Sequence, residues 1–343
     1  MRQPYLVVGA LMVGLLTGDR AVMAQTDPGR VPGNMTRASS PLSDKDQQFL
    51  VSYIDFWVKQ LQSGNPDTIA LARGRLTEPY NQGGTEIFVT FYDQSLATRI
   101  GAGLSAKDVA GRMNTLLVAK FVRHERVIDV IKAGLKEESS AVAYQAAVAA
   151  KALVDNDKVS VAVKFGLRAP VAEALKKETS PFVLPYLYGA LISVDDVAGW
   201  DAVLMKVNDR LAAHYASSDA GLDAEIDALR LLSDRLILMR LPGQDAVKVP
   251  DKTIHQFART SVRYLELALS SAAPNAALIS LLDGRLTWAA KTLNETGAKF
   301  TAPAALAGKS LDEQKLVLSD WKRLLKGEPF KFTDAEIAKP GNK

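Results

Sequence analysis

From Ser43 to Lys326 one theme recurs along the chain: a capping residue, a stretch of apolar side chains at helical spacing, and a short break of Gly, Pro or Asn. A chain built this way has one fold class open to it, packed helices. Ser43 precedes the first such stretch, in which Phe49, Leu50, Ile54, Trp57, Val58 and Leu61 share one face. Asn65-Pro66 and Ser180-Pro181 place a capping side chain before a proline at the first helical position. Ser105…Asp108, Ser193…Asp196 and Ser310…Glu313 match the reciprocal capping pattern. The spacing predicts helices over 44–63, 66–77, 85–101, 105–120, 124–136, 139–154, 159–167, 170–178, 181–192, 194–216, 219–241, 251–271, 275–295 and 310–326. The run Ile87-Phe88-Val89-Thr90-Phe91-Tyr92 has strand propensity, but Thr85, Leu96 and Ile100 extend it into a helical pattern.

The predicted elements fall into two groups. Residues 43–192 read as a helical-repeat region, within which 124–192 holds short, alanine-rich helices joined by tight turns that force neighbours to lie antiparallel. Residues 193–330 hold longer helices with short connections, the pattern of a bundle. Around Ser140-Ala141-Val142-Ala143-Tyr144-Gln145-Ala146-Ala147-Val148-Ala149-Ala150, an alanine-rich helix follows one rich in Val and Ile. There the chain resembles the HEAT and armadillo-like family of helical repeats, over about a third of its length. It departs from that family in lacking a repeated proline, a regular Asp/Arg ladder and a clean repeat period. The resemblance implies antiparallel helical hairpins stacked as an irregular HEAT-like α-solenoid, with binding on a concave face and no catalytic residue. An irregular alanine-rich helical bundle is the alternative arrangement.

The first 24 residues carry a different signal. Arg2 gives a positive start, Leu6 to Leu16 is apolar apart from glycine, and Val22-Met23-Ala24 offers small residues before Gln25. This pattern predicts a signal peptide cleaved near Ala24-Gln25 and a periplasmic or extracellular mature chain. The apolar run is well short of the roughly 20 residues a spanning helix needs. No transmembrane segment is expected in the mature chain. Residues 25–42, rich in Pro, Gly, Ser, Thr and Arg, read as a flexible leader, and 331–343 as a tail. The chain has no cysteine, which excludes disulfides, thiol catalysis and thiolate metal sites.

The formal net charge is +4, a surplus too small to imply a nucleic-acid partner. His124, His214 and His255 each stand without a second ligand at helical spacing, so no metal site and no cofactor is expected. Asp195-Asp196, Glu137-Glu138 and Asp223…Asp227 are the paired carboxylates, and all fit helix ends or solvated faces better than an acid–base pair. The candidate ligand-binding residues are Tyr80, Asn81 and Gln82 in the polar turn Glu78–Thr85, and Lys120, Arg123 and Arg126 in a basic cluster between two helices. Phe182, Tyr186, Tyr188 and Trp200 read as core. The expectation is a non-catalytic protein-binding scaffold. The alternative is a small-ligand or enzymatic pocket between the repeat layer and the C-terminal bundle, with Tyr80, His255 and Arg259 as polar groups.

Overall fold

A computed structural model describes residues 27–217, 221–239, 249–271, 275–295 and 299–338. The expected signal peptide, 1–24, lies outside them. All the regular structure described is helical: α1 (Gly33–Thr36), α2 (Asp44–Gln60), α3 (Pro66–Asn81), α4 (Glu86–Arg99), a 3-10 helix (Ile100–Ser105), α5 (Val109–Ala119), α6 (Val127–Gly134), α7 (Ser140–Asp155), α8 (Val161–Lys177), α9 (Leu184–Ser193), α10 (Val197–Ser217), α11 (Asp223–Leu238), α12 (Asp251–Ser270), α13 (Ala276–Glu295), α14 (Leu311–Lys326) and α15 (Asp334–Ile337). The protein is all-α.

Several caps sit where the sequence places them. Ser43 accepts from the Asp46 amide, Asn65 from Thr68, and Ser310 forms the full reciprocal box with Glu313. Two expected caps move. Asp108, rather than Ser105, starts α5 by accepting the Gly111 amide, and Asp196, rather than Ser193, does the same for Gly199 in α10.

Two prolines were expected to mark helix ends and do not. α3 runs through Pro79, whose missing N–H frees the Arg75 carbonyl one turn back. The Tyr53 hydroxyl donates to that carbonyl at 2.7 Å, and the Tyr92 hydroxyl donates to the neighbouring Leu76 carbonyl at 3.0 Å. α8 likewise continues through Pro170, correcting the expected break between 167 and 170. An interior proline costs about 3 kcal/mol. Val163, Leu167, Val171 and Leu175 form one buried stripe across it, and burying each contributes about 1.5–3 kcal/mol, so packing wins.

Helices adjacent in sequence pack from α5 to α11, and so do alternate ones. α3, α5, α7, α9 and α11 touch in succession; the 3-10 helix, α6, α8, α10, α12 and α14 do the same beside them. Small residues set the spacing: a Cβ on Gly111 would lie 2.4 Å from the Leu61 carbonyl oxygen, so α5 passes hard against the end of α2. One hydrophobic cluster runs from Val31 to Ile337, crossing residue 192 without a break, since α9 packs on α7 and α8 and also on α10 and α11. The expected regions 43–192 and 193–330 therefore share a core.

The stretch expected to be a flexible leader is laid down on the body from residue 27 onward. Val31, Met35 and Leu42 are buried, and Thr85 donates its amide to the Thr36 carbonyl and its hydroxyl to the Ala38 carbonyl, each at 2.8 Å. Three apolar anchors and a helix N-terminus supply what its polar composition concealed. The expected tail is similarly fixed through residue 338, with Phe332 and Ile337 buried.

Candidate functional site

The largest change from expectation concerns Tyr80 and Asn81, which form the last turn of α3 rather than a loop. Tyr80 stacks on Phe121 and meets Tyr92 edge-on, and its hydroxyl donates to Asp93 of α4. Arg123, from the turn before α6, donates its Nε to the other Asp93 oxygen at 3.0 Å and reaches Glu86 at 3.3 Å. The Asp93 side chain is 7% exposed and that of Arg123 11%. Burial pushes the Asp93 carboxyl up, while the Tyr80 and Arg123 donors hold it back. Burial works against the Arg123 charge too, but the Asp93 hydrogen bond and charge reverse that and raise its pKa. This cluster joins two of the six candidates, and its donors and acceptors meet one another.

The other four take no part in the Asp93 pairing. Asn81 and Gln82 edge a hollow of about 510 Å³ where Glu78 takes contacts from Arg30, Arg75 and Gln82. Lys120 lies over the Phe121 ring at 5.1 Å, and Arg126 donates to Thr98 at 2.9 Å. The paired carboxylates split: Asp195 engages Arg235 of α11, while Asp196 engages Arg168 of α8 at 2.8 Å. Of the expected core aromatics, Tyr188 and Trp200 are buried, but Phe182 is 77% exposed, because the chain turns through 180–183 before α9 starts at Leu184. Among the described residues, no group of three or more His, Asp and Glu could hold a metal ion, and no helix is long and apolar enough to cross a membrane.

A hollow of about 570 Å³ does lie between the central helices and α11, near where a pocket was expected, but Asp195 and Arg235 in its wall are paired with each other. The more open chemistry is elsewhere, in a groove of about 450 Å³ between α10 and α12. These helices run parallel, because Asp201 meets Thr253, Asn208 meets Thr260 and Val207 meets Tyr264. Asp201, Met205, Asn208 and Ala212 line one side at spacings of four, three and four; Lys252, Gln256, Arg259 and Arg263 line the other in the same rhythm.

The inner end of the groove is basic. Arg263 donates to Asn208 Oδ1 at 2.7 Å and to the Ala338 carbonyl at 3.3 Å, both uncharged oxygens. Arg259 lies 5.1 Å over the Phe332 ring and 3.8 Å from Glu336. Burial lowers the pKa of both guanidiniums, and for Arg263 the neighbouring Arg259 charge lowers it further. The Nε atoms of both are buried without a hydrogen-bond partner. Arg259 was a sequence candidate; Arg263, Lys252 and Asn208 were not, although the Lys-Gln-Arg-Arg stripe was legible as a polar face on an otherwise amphipathic helix. His255 stands outside the groove, against the Phe330 ring at 4.9 Å, and burial lowers its pKa. Tyr80 belongs to the distant Asp93 cluster, so the expected trio of Tyr80, His255 and Arg259 does not converge.

No family model matches the chain, and no curated protein matches it. Among solved structures the chain is similar to the crystal structure of an engineered protein from the Northeast Structural Genomics Consortium, at 14% identity and a TM-score of 0.46, over 70% of this chain and 96% of that one.

Proposed function

We propose that this is an exported, non-catalytic helical-repeat protein that binds a protein partner, its hairpins stacked as an irregular HEAT-like α-solenoid that passes into a C-terminal bundle of longer helices. The observation that carries this reading is the pair of helix rows. α5, α7 and α9 touch in succession and α6, α8 and α10 do so alongside, and hairpins stacked in this way would offer long helix faces. Such faces suit macromolecular contact better than chemistry. Export rests on the Arg2, Leu6–Leu16 and Val22-Met23-Ala24 pattern, and places the mature chain in the periplasm or outside the cell.

The test is to immobilise the chain from Gln25 onward and expose it to an extract of its native envelope or medium. A stoichiometric protein, crosslinked to half-buried residues of α7 or α9 such as Tyr144 and Tyr186, supports the scaffold. Crosslinks confined to other faces, or no captured protein, sink it. A second reading, a small-ligand-binding helical domain, is favoured by one observation: the α10–α12 groove has the volume of a small-molecule site, with polar groups converging at one end.

A further inference from the structure

Arg259 is a cation whose hydrogen-bonding capacity the fold leaves unused. Its guanidinium carries five N–H donors, its side chain is 17% exposed, and among the described residues it donates to no protein acceptor. The nearest carboxylate oxygen, Glu336 Oε1, stands 3.8 Å away, within ion-pair range but beyond hydrogen-bond reach, while Oε2 of the same group accepts the Thr333 amide at 2.9 Å and the Thr333 hydroxyl at 2.8 Å in the α15 cap. One turn along, Arg263 gives its donors to neutral oxygens. Two like charges a turn apart, withdrawn from water and with no carboxylate in hydrogen-bond contact, are unfavourable on their own. Such an arrangement is favourable once an anion completes it, because a guanidinium matches carboxylate and phosphate oxygens with two parallel bonds.

We propose that the inner end of the α10–α12 groove binds an oxyanion, carboxylate or phosphate, carried by a ligand of small-molecule size, with Arg259 as the main donor. The inference rests on the small-ligand reading above. Met205, 53% exposed, and Leu204 form an apolar side for the ligand's body. Asp201 and Asp209 on the α10 side select against a second negative charge there and for a hydroxyl or ammonium. Burial, which lowers the pKa of both arginines, is partly offset when the anion arrives.

Isothermal titration of the full chain with inorganic phosphate, malate or glutamate, each against sodium chloride of equal ionic strength, tests this. The expected result is saturable binding of at least one probe, weakened about tenfold or more in Arg259→Gln. A response to phosphate alone, or to the carboxylates alone, tells which oxyanion is taken. In oxyanion-free buffer the variant should melt no lower than wild type. Binding that is absent, or unchanged in the variant, overturns the proposal, as does a variant that melts clearly lower, which would mark Arg259 as structural. Native mass spectrometry of the chain purified from its source separates the two levels. A neutral or cationic molecule held in the groove ends the oxyanion inference and keeps the small-ligand reading; a chain that holds nothing and titrates with nothing ends both.

Discussion

Arg123 and Arg259 are two arginines withdrawn from water to similar degrees and treated in opposite ways. Arg123 meets a buried carboxylate, Asp93, which also takes the Tyr80 hydroxyl, and its pKa rises. Arg259 meets an aromatic face and a carboxylate at 3.8 Å that it does not hydrogen-bond, and burial lowers its pKa. The first arrangement is complete within the chain and ties α3, α4 and the turn before α6 together. The second leaves Arg259 without a hydrogen-bonded counter-charge, which is what the proposed oxyanion would supply. The contrast gives a physical criterion for separating a structural buried charge from a binding one: whether the fold itself supplies the counter-charge.

The sharpest break would come at Asp93. Asp93→Ala leaves Arg123 and Tyr80 buried without their shared acceptor, and a loss of about 3 kcal/mol or more is expected in urea unfolding. A loss below about 1 kcal/mol would mean the cluster is no more complete than the groove. Tyr80→Phe removes one hydrogen bond to that carboxylate and keeps the ring stacking, so about 1.5 kcal/mol is expected by the same method.

Asp283 is an intermediate case, a buried carboxylate that accepts the Leu306 amide at 2.9 Å. Burial raises its folded pKa, so the folded state holds its proton more tightly than the unfolded state does. Its contribution to stability is full at acid pH and is lost as pH rises through the folded value. Asp283→Asn keeps an acceptor and removes the titration. It should stabilise at pH 7 by about 1 kcal/mol and change little near pH 3, read from unfolding midpoints at the two pH values. A gain of the same size at both would show that the charge is irrelevant there. The smallest expected effect, of the same sign as Asp283→Asn at pH 7 and opposite to Asp93→Ala, is Arg259→Gln. In oxyanion-free buffer its stability should lie within about 1 kcal/mol of wild type, on the favourable side, by thermal melting.

The sequence made the helices legible because period and caps act locally: Ser43, Asn65 and Ser310 each cap within three residues. It failed where a distant group decided the outcome. Pro79 ends a helix by local rules, but Tyr53, 22 residues upstream of the carbonyl that Pro79 frees, satisfies it. Pro170 is overridden by a buried stripe whose partners no local window contains. Residues 27–42 looked too polar to order because the sites that receive Val31, Met35 and Leu42 lie on other helices. The candidate residues suffered the same way. Tyr80 and Arg123 were found as polar groups in breaks, but their acceptor, Asp93, sits in a helix with nothing local to single it out. The Lys252-Gln256-Arg259-Arg263 stripe was visible, but its meaning depended on α10 lying parallel to it.

The groove's inner wall also has a place in time. Arg263 reaches the Ala338 carbonyl across 75 residues of chain, and Phe332 and Glu336 beside Arg259 come from the same late segment. During synthesis the helix rows can assemble hairpin by hairpin, while this corner waits for some of the last residues described. Loss of the segment after Gly327 would therefore leave most of the core and the walls of the groove standing while stripping Arg259 and Arg263 of Phe332, Glu336 and the Ala338 carbonyl, so a clipped molecule would pass as folded in bulk spectroscopy with the surroundings of both arginines changed.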